Sequence, residues 1–256
     1  MGRMSGKVAL VTGGAEGIGA ASARLIVAEG GSVMLCDLQI DKARALADEL
    51  GEQADAFELD VRDLDQWQAA VAATVARFGK LNVLCNVAGI SEPGNVIDVP
   101  LDSWQRTIDI NLNGTFFGCR AALPAMEAAG EPGAIVNIGS MLAIRAGAIF
   151  ASYCASKSAV VALTRTIALD CAARGVPIRA NVVHPGAIRT PMYDRYKFSG
   201  QGDPDEIERN FAATHPMNRI GEPGEVARAV VFLASDEASF TTGVDFTVDG
   251  GGSIRD

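Results

Sequence analysis

The stretch Lys7–Gly19, KVALVTGGAEGIG, decides the fold. Lys7–Thr12 is a short apolar run that does not alternate with polar residues and ends on glycines. It therefore reads as a strand buried on both faces, the kind found in parallel sheets. Gly17–Glu29 follows with helical spacing and many alanines, and Gly30-Gly31 stops it. The turn between them, Thr12-Gly13-Gly14-Ala15-Glu16-Gly17-Ile18-Gly19, spaces its glycines as G-x-x-x-G-x-G. Such a turn lets backbone approach a pyrophosphate, and the helix N-terminus behind it offers N–H groups and a positive dipole end. A tight turn with no ligand would use the same glycines.

Outward from this unit the rhythm repeats. Ser32–Asp37, Ala54–Leu59 and Leu81–Asn86 read as strands, with helices at Asp41–Leu50 (Asp41 as N-cap) and Asp63–Phe78 between them. Leu101–Ala129 reads as a long helix bent near Gly114 or Pro124. Ala134–Ile138 and Ile178–Val183 are strands on either side of a helix at Ser152–Arg174. Arg189–Pro216 is irregular, rich in Gly, Pro and charge. A helix at Glu222–Ser235 and a short strand at Asp245–Val248 complete the chain. Alternating strands and helices predict an α/β fold: a doubly wound, Rossmann-type parallel sheet with helices on both faces. No linker or shift of composition divides residues 1–256, so one domain is expected.

With 256 residues, roughly 72% of the unfolded surface is expected to be buried, enough for a core without disulfides or metal. Apolar residues at 48% exclude a disordered chain. A net charge of −9 argues against nucleic acid as the main partner. Apolar runs of about 5–8 residues are too short to cross a membrane, and the N-terminus lacks a signal-peptide core. The five cysteines are odd in number, widely spaced and free of any C-x-x-C, as expected of free thiols in a reducing cytoplasm. His184 and His215 are the two histidines, so no His-based metal site is expected.

Asp37 ends the second strand about 24 residues after Gly13, where an acidic side chain can accept from both hydroxyls of an adenosine ribose and repel a 2′-phosphate. Glu16 adds negative charge in the turn, and no Lys or Arg follows Asp37 before Lys42. These features favour NAD over NADP. Tyr153 and Lys157 lie four apart on a helix and so share a face. An ammonium close to a phenol would lower its pKa, and reaching neutrality needs about 3 units, or about 4 kcal/mol.

These motifs occur in a fixed order with Asn86-Val87-Ala88-Gly89, Asn111, Ser140 and Pro185-Gly186. Together they resemble the short-chain dehydrogenase/reductase family over essentially the whole chain. The resemblance implies a seven-stranded sheet of order 3-2-1-4-5-6-7, with Asn111, Ser140, Tyr153 and Lys157 as the catalytic set. Tyr153 would be the general acid/base, and Ser140 would hold the substrate oxygen. Lys157 would hold the nicotinamide ribose, and Asn111 a water leading to Lys157. It further implies cofactor contacts from Gly13, Glu16, Gly17, Ile18, Gly19, Asp37, Leu38, Asp60, Val61, Asn86, Ala88, Gly89, Pro185, Gly186, Ile188 and Thr190. Val87 departs from the Asn-Asn-Ala-Gly that is common at this segment.

Substrate-lining candidates are Leu142, Phe150, Ala187, Met192 and Tyr193. Being mostly apolar, they favour an uncharged secondary alcohol or ketone, including cyclic alcohols, diols and hydroxysteroids. Arg145 and Arg189 are the cations available should the substrate be an anion. Reduction of a 3-oxoacyl thioester on acyl carrier protein or CoA is the alternative activity. A non-catalytic NAD-sensing protein is a remote third reading. The exposed faces of Leu101–Ala129 and Ser152–Arg174 predict a homo-oligomer, a tetramer or a dimer, and related enzymes often form tetramers. Residues Arg189–Pro216 are predicted to form a lid, mobile without ligand, with a short amphipathic helix at Asp205–Ala213.

Overall fold

The computed structural model describes residues 2–198, 200 and 202–255. Seven parallel strands form one sheet: β1 Val8–Thr12, β2 Ser32–Asp37, β3 Ala54–Glu58, β4 Val83–Asn86, β5 Gly133–Ile138, β6 Ile178–Pro185 and β7 Asp245–Val248. Their order is β3-β2-β1-β4-β5-β6-β7. The chain reverses direction across the sheet between β1 and β4, and a crevice opens there at the carboxyl ends of the strands.

Helices cover both faces. On one face α1 (Gly17–Ala28), α2 (Ile40–Leu50) and α9 (Pro223–Ala234) pack on Val11, Leu35, Val136 and Val183. On the other, α3 (Leu64–Phe78), α5 (Gly114–Ala129) and α6 (Ala151–Ala173) pack on Leu10, Leu84, Ile135 and Ala180. Alternate residues of each strand supply the two faces, as the period of two requires. Trp67 of α3 is fully buried and donates its indole N–H to Val61 O at 3.0 Å. None of the described helices is long and apolar enough to cross a membrane.

Three local expectations change. Asp41 does not cap α2; the N-cap position is Gln39, whose N–H is taken by the Asp37 carboxylate at 2.9 Å. The bend expected near Gly114 or Pro124 is replaced by a change of helix type just before Gly114. After α4 (Leu101–Ile108) the helix widens into a π-turn at Asp109–Asn113 before continuing as α5. Single-turn π-bulges recur at functional sites, and this one carries Asn111. The segment Arg189–Pro216 holds, besides the helix expected at Asp205–Ala213 and found as α8 (Pro204–Ala213), a second helix where irregular chain was expected, α7 (Pro191–Lys197). Thr190 caps α7 through its hydroxyl and Asp203 caps α8 through its carboxylate, each with proline at the first helical position. Ser199 and Gln201, within the same expected lid, lie outside the described residues.

Candidate active site

The glycine turn leaves room for a ligand where side chains would block it. Gly13 has φ +63°. A Cβ on Gly19 would lie 2.0 Å from Gly13 O, so no other residue fits there without unmaking the turn. A cleft of about 610 Å³ runs along the turn and the α1 N-terminus to the ends of β2, β3 and β4. Of the expected cofactor residues, Gly13, Glu16, Gly17, Ile18, Gly19, Asp37, Leu38, Asp60, Val61, Ala88, Gly89 and Thr190 line it.

The Asp37 carboxylate is fixed across the turn, accepting from Ala15 N at 3.0 Å. Two cations near this end are already engaged. Lys42 Nζ reaches Glu16 at 3.0 Å, and Arg62 Nε reaches Asp60 at 2.9 Å. The Arg62 hydrogen bond holds the Asp60 carboxyl below its ordinary range. A cradle of backbone N–H groups closed by a fixed carboxylate suits the adenosine and pyrophosphate of a nicotinamide dinucleotide.

Asn86 lies elsewhere than the cleft. Its amide donates to Asn137 Oδ1 at 2.8 Å, and Asn137 in turn donates to Thr164 Oγ1 at 2.8 Å. The side chain belongs to a polar string between the sheet and α6. Thr12 Oγ1 is what positions the segment after β4, accepting from Val87 N at 3.0 Å and Ala88 N at 3.1 Å. Gly186, Ala187 and Ile188 line a second cavity of about 340 Å³ with His215 and Asp249. Pro185 ends β6 just before them.

The catalytic candidates gather at the ends of β4 and β5. The Asn111 side chain holds Ile90 at both backbone atoms: Oδ1 accepts from Ile90 N at 2.9 Å, and Nδ2 donates to Ile90 O at 2.9 Å. Lys157 is buried, donates from Nζ to Ile138 O at 2.8 Å, and sits 5.8 Å from the Tyr153 ring centre. Asn111 Oδ1 and Lys157 Nζ both border the space above Gly89. Ser140 Oγ accepts from Leu142 N at 3.1 Å. Burial lowers the Lys157 pKa to about 8. Burial also pushes the Tyr153 phenol up to about 12, against a lowering by the Ser140 hydroxyl. The expected lowering of the phenol by Lys157 is therefore absent from the empty site, because loss of water around the ring outweighs the neighbouring dipoles.

The substrate candidates divide. Phe150 and Leu142 both approach Gly147, and Phe150 meets Tyr196 edge-on at 6.0 Å. Met192 lines the cofactor cleft. Ala187 is held by His215, its N–H donating to Nε2 at 3.0 Å. Tyr193 is 4% exposed and packs edge-on against Phe211 at 5.4 Å, joining α7 to α8. Tyr196, which the sequence reading did not single out as substrate-lining, faces Phe150 and donates to Ser91 Oγ at 2.8 Å. Its spacing of three from Tyr193 on one short helix was the available signal. Arg145 donates to Arg255 O at 3.1 Å, and Arg189 pairs with Glu208 at 2.8 Å and Glu222 at 3.1 Å. Both arginines thus serve the protein's own carbonyls and carboxylates.

Comparison with known proteins agrees with this geometry. A family model described as Enoyl-(Acyl carrier protein) reductase matches residues 13–253. The chain belongs to the short-chain dehydrogenase/reductase family. It is 43% identical, over 98% of its length and 90% of the relative's, to a 3-alpha-(or 20-beta)-hydroxysteroid dehydrogenase of Mycobacterium bovis. It is 42% identical to a trans-4-hydroxycyclohexanecarboxylate dehydrogenase of Sinomonas cyclohexanicum, over 97% of this chain and 93% of that one. The ligand-free aldohexose dehydrogenase of Thermoplasma acidophilum superposes with a TM-score of 0.88 at 37% identity, covering 99% of this chain and 96% of that one. The family's fold implies a nicotinamide cofactor.

Proposed function

We propose that this chain is an NAD-dependent oxidoreductase that transfers a hydride between the nicotinamide and an uncharged secondary alcohol or ketone, apolar or cyclic in its body. The observation that carries the reading is the convergence of a phenol, an ammonium and a hydroxyl, those of Tyr153, Lys157 and Ser140, at the strand ends. Bound NAD supplies the hydride acceptor and a positive ring beside the phenol.

In the oxidation direction the alcohol's O–H proton passes to ionised Tyr153 as its C–H leaves as hydride, giving the ketone. Ser140 Oγ orients the same oxygen. Lys157, charged at neutral pH with its pKa near 8, offers its remaining N–H donors to the ribose hydroxyls and stabilises the phenolate. Asn111 keeps Ile90 in place below this point. The carboxylate of Asp37 and the engagement of Lys42 and Arg62 by Glu16 and Asp60 disfavour a 2′-phosphate. The relatives named for a hydroxysteroid and a hydroxycyclohexane support a ring-bearing substrate. The internal use of Arg145 and Arg189 supports an uncharged one, because it withdraws two cations from any anionic group.

The test is a panel of cyclohexanol, trans-4-hydroxycyclohexanecarboxylate and a 3α-hydroxysteroid, each with NAD and NADP and read at the reduced-nicotinamide absorbance. Turnover of a neutral cyclic alcohol with NAD is expected. The description of the matching family model, which names an acyl carrier protein, favours a second reading, reduction of the 3-oxo group of an acyl thioester, and acetoacetyl-CoA with NADH or NADPH is its arm of the panel. Turnover of acetoacetyl-CoA with none of the alcohols would overturn the alcohol reading.

A further inference from the structure

His184 is a fully buried ionisable group for which the mechanism above has no use. It lies in β6, is 0% exposed, and faces the same side of the sheet as Gly139 of the neighbouring β5 end and Asp245 of β7. Strand pairing between β5 and β6 ends with Gly139 N donating to Val183 O at 2.8 Å. Beyond that point the imidazole takes over. The Ser140 main-chain N–H points at His184 Nδ1 at 3.1 Å. On the far side Nε2 lies 3.5 Å from Asp245 Oδ1, and the other Asp245 oxygen is bound by Arg165. Neither Nε2 nor Asp245 Oδ1 has a hydrogen-bond partner among the described residues, so each is the buried polar atom that the other faces.

The facing carboxylate of Asp245 favours one tautomer. A carboxylate oxygen facing Nε2 requires the proton there, which leaves Nδ1 bare to accept from the Ser140 N–H. The Ser140 carbonyl oxygen, 2.8 Å from Nδ1, is the contact that the other tautomer would use. That tautomer would leave the Ser140 N–H unpaired and set the Nε2 lone pair against Asp245. Room for the ring comes from Gly139: a Cβ there would lie 2.6 Å from Nδ1.

We propose that His184, held in its Nε2–H tautomer by Asp245, is a positioning residue that fixes the main chain of Ser140 and so aims the Ser140 hydroxyl at the reacting oxygen. The proposal rests on the reading of Ser140 given above. The side-chain hydroxyl leaves a backbone that is no longer in a regular strand pair, so a loose peptide would let Oγ wander by the distance that matters for catalysis.

Four variants and a double variant test it, assayed with NAD and the fastest alcohol of the panel. His184→Leu is expected to lower kcat at least ~10-fold with the NAD Kd within ~2-fold, since the group acts on orientation and not on cofactor binding. His184→Asn sets an acceptor near the position of Nδ1 and recovers most of the rate. In Asp245→Asn the amide oxygen stays with Arg165, so the NH₂ faces Nε2 and drives the proton to Nδ1. That variant keeps its fold and still loses rate.

In a Ser140→Ala background His184→Leu costs less than ~2-fold, because a positioning residue has nothing left to position. Long-range imidazole nitrogen spectra of the intact protein should show the proton on Nε2, independently of any substrate. A proton on Nδ1, or an equal loss from His184→Leu with and without the Ser140 hydroxyl, would overturn the role of His184. Full activity in Ser140→Ala alone would instead overturn the reading of Ser140.

Discussion

Lys157 is held where an ammonium is costly, and replacing it should make the empty protein more stable while destroying its activity. The fall of its pKa from 10.5 to about 8 corresponds to about 3 kcal/mol against the charged form. Lys157→Met keeps an unbranched side chain in the same channel and removes the charge. Against this stands the hydrogen bond to Ile138 O, whose loss costs about 1 kcal/mol. The variant should therefore gain about 2 kcal/mol at pH 7, or roughly 4–8 °C in Tm for a chain of this size. The pH dependence identifies the cause. With a depressed folded pKa, the lysine's penalty is fully present below pH 8 and is relieved as pH rises from about 8 to 10.5, where the unfolded chain binds more protons than the folded one. The gap between the two proteins should thus shrink across that window and reverse at its upper end. Differential scanning calorimetry or urea titration without cofactor, from pH 7 to 10.5, measures it. A variant less stable at pH 7, or a difference that does not change with pH, would refute the argument. Activity with NAD should fall in every case.

Tyr153→Phe should cut kcat at least ~10²-fold with NAD affinity nearly unchanged, and in the unmutated protein the oxidation rate should rise with pH, because a phenol raised to about 12 must lose its proton first. Asp37→Ala should narrow an NAD preference of at least ~100-fold in kcat/KM, about 2.7 kcal/mol; equal use of both cofactors by the unmutated chain would remove the assignment. Glu208→Gln should speed hydrogen exchange in Pro191–Ala213, because hydrogen bonds from Arg189 and Lys197 hold the Glu208 carboxyl down to about 2. Its contribution in the unmutated protein is present above the ordinary carboxylate pKa and is lost as pH falls through about 2. Light scattering should show an oligomer, since Leu101 and Leu169 are exposed on the central helices and Phe240 near the sheet edge; a mass near ~27 kDa at micromolar concentration would refute this.

Elements whose code is local were legible in the sequence. Val8–Thr12 with its glycine turn, Asp63 capping α3 and Gly79 ending it all follow from residues within a few positions of one another. The strand order was what the family resemblance implied, and the structure has it. What was not legible depends on distant partners. Nothing near Asn111 announces a π-turn; it forms where the side chain can hold Ile90, 21 residues away. Asn86 stood in the expected motif, but which face of β4 it occupies depends on Asn137 and Thr164. Of the two helices in Pro191–Ala213, α8 was legible from the spacing of Ile207 and Phe211, while α7 was obscured by a proline that acts as an N1 residue once Thr190 caps it. Tyr193 looked like a pocket residue from its neighbours, yet Phe211 claims it.

The polar groups that prepare the site are concentrated on one half of one sheet face. On the side packed by α3, α5 and α6 the strands begin apolar, with Leu10, Leu84, Ile135 and Ala180. Two or four residues on, the same face carries Thr12, Asn86, Asn137 and His184, all buried. On the opposite face β1, β4 and β5 stay apolar to their ends, at Val11, Cys85 and Ile138, whereas β6 carries buried Asn181 before Val183 and β2 ends on Asp37. Each buried polar group would cost about 1–3 kcal/mol if left unpaired, so its place has to be justified by a partner. The partners include the chain segments that leave the sheet: Thr12 holds Val87 and Ala88, and His184 holds Ser140. A strand ladder cannot orient backbone beyond its own last pair. Side chains rooted inside the sheet can reach one residue further, where cofactor and substrate meet. This division lets one edge of the sheet carry the chemistry while the rest of it stays an ordinary core.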